Sequence, residues 1–248
     1  MNKVAARAAT MGRGKFLASL VIVLLALALL LALGTWQVQR LYWKEALVAD
    51  IEERRAAAPA PLSEIEALAA AGTDIDYRHA TATGRYLNDK ERHFFATFQG
   101  MTGFYVYTPL ELADGRTLFV NRGFVAYEDK APEARAAGQL QGEQTVVGLA
   151  RARLAEKPSF MVPENDPAKN IFYWKDLDQM AVTTGLPADR VLPFFLDADA
   201  TPNPGGVPIG GVTLIDLPNS HLQYAMTWYG LAAVLAVVSA IALFRRKT

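Results

Sequence analysis

Phe16 to Trp36 reads FLASLVIVLLALALLLALGTW, 21 residues without a charged side chain. At about 1.5 Å per residue this is roughly 31 Å of helix, the thickness of a bilayer's hydrocarbon core. Leu222 to Phe244, LQYAMTWYGLAAVLAVVSAIALF, is a second uncharged run of 23 residues. Its length of about 34 Å is enough to span with modest tilt. The buried helix of a soluble core accounts poorly for two runs this long. Ala32-Leu33-Gly34 offers small residues at cleavage positions. The first run nevertheless exceeds the roughly 7–15-residue core of a cleaved signal peptide, so it reads as an uncleaved anchor.

Charge sets the orientation. The 248 residues hold 25 basic and 25 acidic side chains, a formal net charge of zero. Lys3, Arg7, Arg13 and Lys15 precede the first run, Arg245, Arg246 and Lys247 follow the second, and every acid lies between them. The stretch between the spans therefore holds 18 bases against 25 acids, a net of −7, balanced by +7 on the tails. Positive residues stay on the cytoplasmic side, so both termini are expected there and the segment between the spans is exported. About fifteen residues ahead of the first span leave little room for a transit peptide. A two-pass protein of a bacterial inner membrane with a periplasmic domain is expected, a mitochondrial matrix-side arrangement being the alternative. The organisation is then a cytoplasmic tail 1–15, spans 16–36 and 222–244, an exported domain 40–217 and a tail 245–248.

The balanced charge argues against a nucleic-acid partner, which calls for a concentrated basic excess. The absence of cysteine removes disulfides, thiolate metal sites, thiol nucleophiles and covalent c-type haem attachment. Six methionines form no cluster that would suit copper. No GxSxG, HExxH, GxxxxGK[ST] or GxGxxG occurs, and the serines outside the spans are Ser63, Ser159 and Ser220. A membrane-anchored hydrolase therefore lacks a visible nucleophile.

Within the exported domain, residues 40–72 read as helical. Arg40 to Ala58 continues from the span until Pro59 and Pro61, and a short helix follows in which Ser63 and Glu66 have capping-box spacing and Gly72 sits as a C-cap. Residues 77–200 change texture. Strands are predicted at Tyr77–Tyr86, His93–Phe98, Phe104–Leu110, Thr117–Val125, Thr145–Leu154 and Val191–Leu196, with turns at Asn88-Asp89, Asp114-Gly115 and Gln141-Gly142. One helix, Asp176 to Thr184, interrupts them before Gly185. No βα alternation is present, so the expected fold is membrane α+β: two transmembrane helices flanking an antiparallel, β-rich barrel or sandwich with short helices. Thr201 to Gly211, TPNPGGVPIGG, reads as a connector or a mobile contact loop.

Three histidines can be taken singly. His79 and His93 fall in predicted strands beside Arg78 and Arg92 and read as surface residues. His221 stands at the mouth of the second span, where Ser220 and Gln223 have capping-box spacing. A first helical turn at an interface suits a neutral imidazole able to bind a metal. Tyr224, Ala225 and Trp228 share its face at helical spacing, an aromatic wall for a flat apolar ring. Interfacial Tyr and Trp also serve as plain anchors and an interfacial His as a hydrogen-bonding group, and both readings stand on the residues alone.

Several segments together resemble the Surfeit-locus family of cytochrome oxidase assembly factors. They are Gly34-Thr35-Trp36-Gln37 with Arg40, Tyr77-Arg78, Gly84-Arg85, Gly103-Phe104-Tyr105 and Val120-Asn121-Arg122-Gly123. Pro163, Asn165, Pro167, Asn170, Tyr173-Trp174, Asp176 and Met180-Ala181 follow, and the series ends in Asn219-Ser220-His221-Leu222-Gln223-Tyr224-Ala225 with Thr227-Trp228. Ser220, Phe124 and Tyr229 depart from the family's usual Asn, Trp and Phe. The resemblance implies a non-enzymatic factor that matures an aa3-type oxidase by delivering haem a to subunit I, with haem a synthase and the lipid bilayer as further partners. A cofactor-free membrane scaffold is the alternative.

The family's proposed haem ligand falls on His221, which would bind the iron axially. Haem a would be held transiently and without a covalent link. Trp36, Tyr224 and Trp228 would supply apolar contacts, and Arg40, one turn beyond Trp36, would face a propionate. Arg122 would be a second clamp or a structural residue.

Overall fold

A computed structural model describes residues 12–213 and 217–245. Lys3, Arg7, Arg246 and Lys247, on which part of the charge asymmetry rests, lie outside the described residues. The chain divides into two compact units, one of Met1–Ala49 with Asp216–Thr248 and one of Asp50–Ile215.

The first unit is helical. Helix α1 runs unbroken over Arg13–Ala56, 44 residues against the roughly 20 a span requires. The helix continues from the uncharged run through Arg40 as the sequence reading expects, because no proline interrupts it before Pro59. A second long helix, α4, covers His221–Phe244. Both are long and apolar enough to cross a membrane.

The second unit is a barrel. A two-residue strand β1 (Ala60–Pro61) and helix α2 (Leu62–Ala70) lead into β2 (His79–Tyr86), β3 (Arg92–Phe98), β4 (Met101–Leu112), β5 (Thr117–Ala126) and β6 (Glu143–Ala152). Helix α3 (Leu177–Thr184) and β7 (Val191–Ala198) complete it. The sheet order is β1-β2-β6-β7-β5-β4-β3, and β2 pairs with β4 as well, so five strands close into a ring. All ring pairings are antiparallel except β5 with β7, which is parallel. This is the five-stranded connectivity of an OB-type barrel. The sequence reading of an antiparallel barrel or sandwich is thus corrected in two respects: closure excludes the sandwich, and two pairings, β5–β7 and β1–β2, are parallel.

Closure depends on the C-terminal end of β2. Gly84 is opposite both Leu112 of β4 and Gln144 of β6. A Cβ at Gly84 would lie 2.3 Å from the Glu111 carbonyl oxygen, so only glycine lets the two strands meet there.

Alternation along the strands sorts the core. Ala80, Ala82, Leu110, Leu118, Val120, Val146, Phe194 and Leu196 form one buried cluster with Ile65 of α2. Phe119 and Phe195, on the opposite face of β5 and β7, pack with Tyr107, Phe172, Leu177 and Met180 under α3. Both faces of β5 and β7 are therefore covered, which is why their sequences are nearly continuous apolar runs. Each fully buried Phe of these strands contributes on the order of 1.5–3 kcal/mol.

Most predicted elements lie within two or three residues of the observed ones, but four local readings need correction. Tyr77 is outside β2, with φ +64. Helix α2 begins after Pro61 without a side-chain cap, because Ser63 lies inside it and Glu66 is engaged by the Arg116 guanidinium instead. Thr201 to Gly211 is not a loose connector: Phe124 and Ile209 exchange backbone hydrogen bonds of 2.9 and 2.8 Å, tying it to β5. His93 is no surface residue, being 4% exposed.

His93 belongs to a buried ionic cluster. Arg135 donates to Glu91 through Nη1 at 3.1 Å and Nη2 at 2.5 Å, and both side chains are almost fully enclosed. Arg135 Nη2 also lies 3.4 Å from His93 Nε2. Burial, reinforced by the charges of Arg135, Lys130 and Arg92, pushes the His93 pKa down to about 3.

The unfolded chain takes up a proton at His93 below about pH 6.5 while the folded chain does not until about 3, so the stability that the neutral buried ring contributes is fully present above 6.5 and falls away with acid. Between those limits it should cost about 1.4 kcal/mol per pH unit. His93→Gln is expected to flatten the loss of unfolding free energy between pH 6.5 and 4.5, measured by denaturant titration, and an unchanged slope would contradict a neutral buried ring. Gly84→Ala is expected to lower unfolding free energy by roughly 2–4 kcal/mol in the same assay.

Candidate functional site

Helices α1 and α4 lie side by side in opposite directions. Phe16, Ser19, Leu20 and Val23 of α1 line a groove with Ser239, Ala242 and Leu243 of α4, while Thr35 meets Tyr229 and Gln37 meets His221. Near the start of α4 the contact is made of small and polar residues, whereas the groove at the other end is largely apolar. Gly34 is buried, and a Cβ there would be 2.8 Å from the Tyr229 ring. Thr35 Oγ1 and the Tyr229 hydroxyl are 3.1 Å apart. One helical turn on, Gln37 is 9% exposed and its Oε1 lies 2.7 Å from His221 Nδ1.

The chemistry of this pair fixes the direction of the bond. An amide oxygen only accepts, so His221 Nδ1 donates to Gln37 Oε1. In the neutral ring the lone pair is then on Nε2. His221 opens α4, and the predicted cap differs. Ser220 precedes the helix without a side-chain cap bond, and Asn219 Oδ1 accepts from the His221 N–H at 3.4 Å.

The other residues singled out in the sequence share this end of the helix pair. Trp36 is 55% and Tyr224 54% exposed, and Trp228 is half-buried; none of the three stacks on another ring among the described residues. They present aromatic surface and do not close a pocket among themselves. Arg40 is exposed, its guanidinium 3.9 Å from the centre of the Trp43 ring. Gln37 stood in the sequence between Trp36 and Arg40 without a role. Its distance from His221 in the chain, 184 positions, hides the pairing from any local pattern.

In the barrel, the Asn121-Arg122-Gly123 segment is explained by the fold. Arg122 is 1% exposed, donates to Gly138 O at 2.6 Å and Asn203 Oδ1 at 3.2 Å, and lies over the Tyr86 ring. Asn121 Nδ2 donates to Asp197 Oδ1 at 3.1 Å, and its own Oδ1 accepts from the Gly123 N–H at 3.1 Å. A polar cavity of about 220 Å³ opens beside Asp197, lined in part by Tyr77, Tyr105, Arg151 and Lys175. Burial pushes the Lys175 ammonium toward its neutral form, against the pull of Asp197. Among the described residues no group of three or more His, Asp or Glu is placed to hold a metal ion.

Comparison with known proteins gives a consistent result. Residues 24–233 match the model of the SURF1 family. Surfeit locus protein 1 of Rattus norvegicus is 39% identical over 221 residues, covering 81% of this chain and 68% of the relative. Surfeit locus protein 1 of Homo sapiens is 37% identical over 222 residues, with 81% and 69% covered. The SURF1-like protein of Drosophila melanogaster is 34% identical over 221 residues, with 81% and 69% covered. The match begins inside α1 and ends inside α4, so it takes in the Gln37–His221 pair and the whole barrel, and the chain belongs to the SURF1 family.

Proposed function

We propose that the protein is an assembly factor for an aa3-type cytochrome c oxidase that holds haem a noncovalently and passes it to subunit I of the oxidase. The observation that carries this reading is His221, whose Nδ1 is committed to Gln37 and whose Nε2 is left as an electron-pair donor at the end of an apolar helix pair. The donor set fits a transferable haem. One neutral imidazole binds iron reversibly, whereas the absence of cysteine forbids the thioether links that would make attachment permanent.

The surrounding residues suit a flat, largely apolar cargo with anionic edges. Trp36, Tyr224 and Trp228 offer exposed or half-buried aromatic faces on the same two helices. Arg40 follows Trp36 by one turn, and its fork of N–H donors matches a carboxylate. The cargo would come from haem a synthase and leave to subunit I, so the protein is a carrier and no substrate is turned over. Two adjacent apolar side chains on the barrel unit, Phe160 at 92% and Met161 at 79% exposed, support a second reading as a scaffold that docks on oxidase intermediates without a cofactor.

The charge distribution supports a two-pass arrangement in a bacterial inner membrane, with both termini cytoplasmic and the barrel periplasmic. The cysteine-free sequence makes this easy to test. A membrane-impermeant maleimide is expected to label Phe160→Cys in spheroplasts and Gly12→Cys only after lysis; the reverse pattern would overturn the orientation. Purified from cells that make haem a, the protein is expected to carry haem, and His221→Ala to lose most of it and change the visible spectrum. Unaltered stoichiometry and spectrum in that variant would refute ligation. Haem-free wild-type protein that still restores oxidase assembly would favour the scaffold.

A further inference from the structure

We infer that Gln37 is a positioning residue for the His221 imidazole: its side-chain carbonyl holds the ring as the Nδ1–H tautomer, aims Nε2 outward as the iron ligand, and keeps that ligand weak enough to release its cargo. The inference rests on the proposed ligation by His221 and extends it to a residue on the other helix. Three observations carry it.

The first is geometric. Gln37 Oε1 and His221 Nδ1 are 2.7 Å apart, a short hydrogen bond between a buried amide and a half-buried ring. An oxygen acceptor leaves no other donor arrangement. The second is the setting. Gln37 is one turn from Gly34, which lies against the Tyr229 ring, and two residues from Thr35, which meets the Tyr229 hydroxyl, so the amide is carried where the two helices are in close contact. Gln37 is nearly buried between the helices, and the imidazole is the partner the structure gives its side-chain oxygen.

The third is chemical. Ligating histidines generally donate their second nitrogen to an oxygen, and that partner sets ring orientation and ligand basicity. A carboxylate partner makes a charge-assisted bond about twice as strong as a neutral one and pushes electron density onto the metal-binding nitrogen. An amide orients the ring equally well and donates far less. That combination serves a carrier, which must present its ligand correctly and then surrender the metal.

The test uses the full chain in detergent, with Gln37→Leu, Gln37→Glu and His221→Ala. In haem-free protein, side-chain nitrogen NMR of His221 is expected to report Nδ1–H in the wild type and a shift toward the Nε2–H form, which free imidazole side chains prefer, in Gln37→Leu. In titrations with haem b, Gln37→Leu is expected to raise the dissociation constant about tenfold or more. Gln37→Glu is expected to bind more tightly than wild type, with a more negative midpoint potential. A Gln37 that only ties the helices together would move the unfolding midpoint but leave the tautomer and the potential of the Glu variant unchanged.

Wild-type tautomer, affinity and potential in both Gln37 variants would overturn the inference. If His221→Ala binds haem as the wild type does, ligation itself fails. If only His221→Ala loses haem, ligation stands and the role of Gln37 falls. Should Gln37→Leu fail to fold, the Gln37→Glu potential decides the matter.

Discussion

A polar side chain on a long apolar helix must find its hydrogen-bond partner within the protein, on its own helix or on a neighbouring one. That constraint governs the helical unit. The exposed faces of α1 and α4 carry leucine, valine and isoleucine, while near the start of α4 the face they share carries Gly34, Thr35, Gln37, His221 and Tyr229. Each polar member of that stripe is matched across the gap, Thr35 to Tyr229 and Gln37 to His221. Helix association and presentation of the histidine are thus one arrangement, and neither can be altered without disturbing the other.

The barrel solves a different problem by the same means. Its ring closes because Gly84 admits two neighbours at once, and its buried charges are tolerated because Glu91, Arg135 and Arg122 are placed within reach of one another and of backbone carbonyls. Removing one member of such a cluster leaves a charge in a place water does not reach, a loss of several kcal/mol. The motif residues Asn121, Arg122 and Gly123 are used in this way, as internal fastenings of β5 to the segment that follows β7.

How far the sequence foretold this depended on the range of the interaction. Both long apolar helices and the six long strands were legible because their patterns are local: uncharged runs for α1 and α4, aromatic and β-branched runs for the strands. Asp114-Gly115 marked a hairpin by turn chemistry, and Gly115 takes φ +78 there. The Gln99-Gly100 hairpin passed unnoticed, since Gln99 with φ +50 has none of the usual turn preference. The parallel partnership of β5 with β7, the burial of His93 and the pairing of Gln37 with His221 are set by residues tens to nearly two hundred positions apart. Ser63 and Ser220 show the opposite error, spacing that fits a cap in a backbone that does not use it.

The place of β7 in the ring has a consequence for the order of events in biosynthesis. β7 is the last strand in the chain and lies between β5 and β6, so neither of those has its second neighbour until Ala198 has been made. Until then two long strands present open edges in which Phe119 and Val146 lack their β7 neighbours, a surface prone to pairing with other chains. The barrel must therefore be folded late and as a whole, with few partial structures worth populating, because its closing contacts span most of the unit.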